Sequence, residues 1–195
     1  MIPKYTQLNT TNERAVTLIA KNLVGLGDAK ALLNVYIANI PTFDFGAKGQ
    51  SMHPLKEGDI YACGQACGNG WRKVFNVYPK LVYAAALPTL GAGTCNSWQE
   101  YRDKKLLQVG SSTSLHFRQP AQISAIQNQQ TQLDSSSIHI IVGRTYAKTL
   151  NLGDQLVWLD EEFAINKEQG IIVCPYFDYR QLSNIKIVRL VGLIF

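Results

Sequence analysis

Three short stretches of the chain carry residue types able to recognise or transform a ligand. In PTFDF, Asp44 stands between Phe43 and Phe45. A carboxylate there can orient a water or take a proton from a ring nitrogen, and the phenylalanines offer flat faces. In VGRT, Gly143 and Arg144 combine backbone N–H groups with a guanidinium, a pairing that holds anions at the start of a helix. In CPYFDYR, Cys174 could act as a nucleophile. Tyr176, Asp178 and Arg180 follow it with a stacking face, a carboxylate and a second guanidinium. Stacking of a base on an aromatic ring contributes about 1–3 kcal/mol. Each stretch also has a plainer use. The phenylalanines can plug a loop onto the core, Gly143 can serve a strand–helix turn, and Arg180 can pair with Asp178 at the start of the last helix.

The better-defined catalytic signatures are missing. No GxxxxGK[ST] phosphate loop, GxSxG nucleophile elbow or HExxH zinc helix occurs, and no cofactor is expected. His53, His116 and His139 are scattered and suggest no triad. Cys63 and Cys67, in CGQAC, have a spacing compatible with a metal knuckle, but structural zinc needs a second pair or nearby histidines. Reduced, mostly buried thiols are the expected state of all four cysteines, Cys95 and Cys174 included.

The elements that must position these residues are legible from periodicity. TTNERAVTLIAKNL opens with a capping box, Thr10 and Glu13, and repeats apolar residues at helical spacing. GLGDAKALLN reads as a break followed by a short helix. NVYIANIP reads as a buried strand stopped by Pro41. From Pro41 to about Asn69 the chain looks irregular, a length usually functional or mobile. WRKVFNVYPKLVYAAAL is helical in pattern, with Pro79 expected to kink or split it. SWQEYRDKKLLQ carries a second capping box, Ser97 with Glu100. SLHFRQPAQISAIQNQQTQL suggests a short extended piece and a helix after Pro120. SSSIHIIVG is the clearest strand and leads into the helix GRTYAKTL. DQLVWLD and IIVCP are further strands, and RQLSNIKIVRLVGLIF closes the chain as a helix.

Strands separated by helical segments imply βαβ connections. The expected fold is a single α/β domain over residues 1–195: three α/β/α layers around a mostly parallel sheet of about four strands. In such sheets ligands bind outside the carboxyl ends of the strands. That places PTFDF, VGRT and CPYFDYR together at one edge.

The composition is that of an ordinary globular domain, 46% hydrophobic and 17% charged. The net charge of +5 would help contact with a polyanion, although no dense basic cluster is present. The first residues are too polar for a secretory signal. The closing run IKIVRLVGLIF is too short to span a bilayer and carries Lys186 and Arg189. A cytoplasmic protein without membrane partners is expected.

In the order of its parts, NVYIANIPTFDF, CGNGWRKVF, IHIIVGRTYAKTL and IIVCPYFDYRQLSN, the chain resembles the uracil-DNA glycosylase superfamily. In that family a strand-end Asp or Asn activates water, an aromatic stacks the base, and a His-Pro-Ser motif precedes the last helix. The resemblance implies that Asp44 orients water, Phe45 stacks the base and Asn69 reads its edge. The Tyr176–Arg180 loop would contact the strand, and single-stranded or damaged DNA would be the partner. Here Cys174 stands in place of the histidine and Tyr176 in place of the serine, so binding with a degenerate active site is the implied activity. The cysteines do not follow the iron–sulfur pattern of some members. The segments GNGWRKVFNVY and SWQEYRDKKLLQ also resemble a bacterial family of uncharacterised proteins. Two other functions fit the residues: a small-molecule hydrolase using Cys174, and a non-catalytic assembly module contacting partners through Ile185, Val188, Val191 and Leu193–Phe195.

Overall fold

The computed structural model describes residues 24–47, 52–117 and 137–195. Its strands are β1 (Gly25–Gly27), β2 (Leu33–Ile37), β3 (Met52–His53), β4 (Thr113–His116), β5 (Ile138–Val142), β6 (Val157–Trp158), β7 (Ala164–Asn166) and β8 (Ile171–Cys174). Among the described residues there are five helices: α1 (Asp59–Ala66), α2 (Asn69–Ala85), α3 (Trp98–Lys104), α4 (Arg144–Thr149) and α5 (Asn184–Ile194). The helices expected from Thr10 and after Pro120 lie outside the described residues. No helix among the described residues is long and apolar enough to cross a membrane.

All eight strands form one sheet, in the order β3-β1-β4-β2-β5-β8-β7-β6. Its centre, β4-β2-β5-β8, is parallel throughout. The mixed α/β class is as expected, but eight strands replace the expected four or so. The unexpected strands are short and antiparallel to the centre: β1 runs against β4 with β3 alongside it, and β7 runs against β8, with the expected β6 completing a hairpin on β7. Strands of two or three residues offer too little alternation to be recognised from sequence.

Side chains alternate between the two faces of the sheet. Leu33, Val35, Ile37, Leu115, Ile140 and Ile172 join one core cluster with Val74 and Tyr78 of α2 and Ile187 and Leu190 of α5. Their neighbours Tyr36, Ile141, Ile171 and Val173 join a second cluster with Ala147 of α4 and with Leu150 and Leu152. Helix α2 continues through Pro79 as a single element. Helix α3 starts as expected, with Ser97 Oγ accepting from the Glu100 N–H at 3.2 Å. The reciprocal Glu100 carboxylate accepts from the Asn96 N–H at 2.8 Å.

Two expectations are overturned. GLGDAKALLN forms no helix: Gly25–Gly27 is strand β1, and Leu33 opens β2. A Cβ on Gly27 would lie 2.2 Å from the Thr113 carbonyl oxygen, and one on Gly25 would lie 2.6 Å from that of Leu115. These glycines therefore let a strand lie close against β4; they do not mark a break. The Asp28 carboxylate then accepts from the Ser112 N–H at 2.7 Å and ties the turn after β1 to the start of β4. The stretch from Pro41 to Asn69 is likewise not irregular throughout, since it contains β3 and the two-turn helix α1. Gly64 inside α1 obscures the helical signal.

Candidate functional site

The strands that pair with β2 on either side are β4, reached through α1, α2 and α3, and β5. Chain direction therefore reverses at β2, which leaves a crevice beyond the carboxyl ends of β2 and β5, where open sheets of this kind bind ligands. A cleft of about 540 Å³ lies there. Ala38 and Asn39 line it after β2, Val142 to Tyr146 after β5, and Pro175 and Tyr176 after β8. Glu161 and Glu162 come from the β6–β7 turn, and Gln181 from the segment before α5.

Of the residues expected at this edge, Gly143, Arg144 and Tyr176 line the cleft. Gly143 has φ 101°, a backbone conformation that favours glycine. Its N–H donates to the Cys174 carbonyl at 2.9 Å, joining the ends of β5 and β8. That N–H is thus unavailable to an anion, and α4 is only six residues long. Arg144 donates through Nη1 to the Glu161 carbonyl at 2.9 Å and lies 5.1 Å from the Trp158 ring centre, bracing the β6–β7 hairpin. The Tyr176 hydroxyl donates to Asn39 Oδ1 at 3.3 Å, bridging the ends of β8 and β2. Burial, and secondarily the Asp178 charge, raise the Tyr176 pKa.

Asp178 and Arg180 hold the loop in place. The Asp178 side chain is 10% exposed and pairs with Lys73 of α2 at 2.7 Å and with Arg180 at 3.1 Å. Those hydrogen bonds, Arg180 first and Lys73 next, keep its carboxyl well below the usual carboxylate range. A carboxylate so held is a poor base at neutral pH.

The remaining expected residues are not brought into the cleft. Asp44 is exposed and accepts the Gly46 N–H at 2.7 Å, a turn contact. Phe45 is buried in the core with Phe43 packed edge-on at 4.8 Å between centroids, the plugging use. Asn69 is exposed at the first position of α2. Cys174 is fully buried; desolvation pushes its thiol pKa up, and Sγ donates to the Pro175 carbonyl at 3.3 Å. Neither the access nor the low pKa of a nucleophilic thiol is present. Of the C-terminal apolar residues, Ile185, Val188 and Phe195 are exposed, whereas Ile187 and Leu190 pack inward.

Sequence reasoning missed a buried polar group on the α4 face of the sheet. His116 and His139 both stack on Tyr36, with centroids 4.8 and 5.8 Å away. The Tyr36 hydroxyl is 2.7 Å from His139 Nδ1. Ser114 Oγ donates to Asn34 Oδ1 at 2.9 Å and also lies 2.9 Å from His116 Nε2. Asn34 Nδ2 donates to the Ala31 carbonyl, which fixes Oδ1 as the acceptor 3.3 Å from His116 Nε2. That ring nitrogen therefore carries the proton. Nδ1 is left with a buried lone pair and no hydrogen-bond partner. Desolvation, and secondarily His139, lower the His116 pKa to about 4. Tyr146 of the cleft lies close enough to help raise the Tyr36 pKa, after burial itself. The available signal was a polar residue at every second position: Asn34 and Tyr36, Ser114 and His116, and His139 in IHIIV.

The fold and cleft define an open, largely parallel α/β domain with its crevice at the strand-order reversal. Residues 24–195 match the model of a family of unknown function (DUF6942), and the chain belongs to that family. No curated protein and no solved structure matches the chain, so neither comparison supports a tie to uracil-DNA glycosylases.

Proposed function

We propose that the chain binds a small planar ligand of the nucleobase class in the cleft at the carboxyl edge, without excising it. The observation that carries this reading is the cleft itself, about 540 Å³ at the reversal of strand order, with Tyr176 as an aromatic wall. Gly143 leaves open space beside that ring: even an added Cβ would stay 3.9 Å from Tyr176 Cδ2. The amides of Asn39 and Gln181 and the carboxylates of Glu161 and Glu162 supply the donors and acceptors that read a base edge. This is the part of the glycosylase likeness that the geometry supports. Excision finds no support, because Asp44 is engaged in its turn and Asp178 is held ionised.

A free base or nucleoside fits better than a DNA strand. Most cations near this edge already have carboxylate partners, Lys73 and Arg180 on Asp178, Lys186 on Glu162, and Arg189 on Asp160, while Arg144 donates to the Glu161 carbonyl. Few are left to release counterions from phosphates. Calorimetric titration with free nucleobases and nucleosides tests the reading. Tyr176→Ala should weaken binding by about 1–3 kcal/mol, roughly 5- to 150-fold. If no base or nucleoside binds, or Tyr176→Ala binds equally well, the proposal fails. Steeply salt-dependent binding of a labelled uracil-containing strand would instead favour the polymer.

A further inference from the structure

A second cleft, of about 250 Å³, lies among α1, α2 and α3 and shares no residue with the one above. Two arginines line it, Arg72 and Arg102. Arg102 is set in direction by its neighbours. Nε and Nη2 donate to Asp103 at 2.7 and 3.1 Å, and Nη1 donates to Asn76 Oδ1 at 2.6 Å. Two of its five N–H groups remain available for a ligand. Arg72 is exposed and pairs with no carboxylate among the described residues. Its stem runs across Gly64 of α1, where an added Cβ would sit 2.9 Å from Arg72 Cγ. Asp103 balances Arg102, so Arg72 leaves the cleft with one positive charge. The floor is apolar, formed by the buried rings and branches of Phe75 and Ile60, and Tyr61 stands 71% exposed at the rim.

We infer that this cleft binds a small organic anion, with a carboxylate or phosphate on Arg72 and Arg102 and a flat apolar body on Phe75, Ile60 and Tyr61. A solvated surface arginine would need neither a glycine beneath its stem nor a second guanidinium held by three hydrogen bonds at its side. Ligand sites combine apolar walls with a few placed polar groups, and the pair of arginines favours oxyanions with two acceptor oxygens.

The test is titration of the full chain with phenyl phosphate and benzoate, with benzyl alcohol and inorganic phosphate as the controls lacking the charge or the apolar body. Both aromatic anions should saturate, binding about tenfold or more tightly than either control, as expected for charge-assisted hydrogen bonds. Arg72→Gln should lose about tenfold, and Gly64→Ala, which displaces the Arg72 stem, should weaken binding too. Tyr176→Ala should leave it unchanged, which separates this site from the carboxyl-edge cleft. Equal binding of benzoate and benzyl alcohol, or undiminished binding by a folded Arg72→Gln protein, would overturn the inference.

Discussion

His116 should make the fold acid-sensitive well above the range in which carboxylates titrate. Burial and the neighbouring His139 lower its pKa from 6.5 to about 4 in the folded chain. The unfolded chain therefore binds the proton more tightly. The stability contributed by the neutral ring is fully present above pH 6.5 and is lost as pH falls from there through 4. The whole interval corresponds to about 3 kcal/mol, of which about 2 kcal/mol should be lost by pH 5. The acidic side chains with lowered pKa values, Asp178, Asp160 and Glu100, also lose their contribution as pH falls, but in a lower window. Their contribution is retained down to ordinary carboxylate pKa values of about 4, so at pH 5 it is nearly intact. Urea unfolding at pH 7.5 and pH 5.0, on the unaltered chain and on His116→Asn, isolates the effect. The difference between the two proteins reads His116 together with its coupling to His139. The unaltered chain should lose about 2 kcal/mol more than the variant between the two pH values. If the two proteins lose equal stability, His116 is not the buried neutral base that Asn34 and Ser114 orient, and the reasoning fails.

Two further outcomes follow from the same packing. Gly27→Ala should destabilise the chain by at least about 2 kcal/mol, because the position has φ 96° and the new Cβ would meet the Thr113 carbonyl. Thermal melting checks it, and an unchanged midpoint would contradict the close β1–β4 approach. Alkylation under native conditions should modify the partly exposed Cys67 well before the fully buried Cys174, as read by peptide mass spectrometry. Equal labelling of the two thiols would contradict the burial of β8.

Local pattern was enough for β2, β5, β8, α2, α3 and α5. Each is a run whose own periodicity or cap declares it, such as Ser97 before Glu100 or the unbroken apolar stretch in IHIIV. Because those strands are parallel, their carboxyl ends could be assigned to one edge, and Gly143, Arg144 and Tyr176 do meet in the cleft there. Asp44, Phe43 and Asn69 stay outside that cleft for a shared reason. Each stands just past or before a regular element, but the sequence does not say which way a loop turns after leaving it.

What the sequence determined by itself was the class of fold and the identity of the central elements, since helix and strand periodicity are properties of neighbouring residues. Only the tertiary structure decided which strands lie side by side. That choice made Gly25–Gly27 a strand against β4, added the β6–β7 hairpin that Arg144 braces, and brought Tyr36, His116 and His139 together from three separate strands. It also gave Arg72 and Arg102 a common cleft, although they lie on different helices. Such contacts depend on burial and on close approach between distant segments, and no local periodicity encodes them.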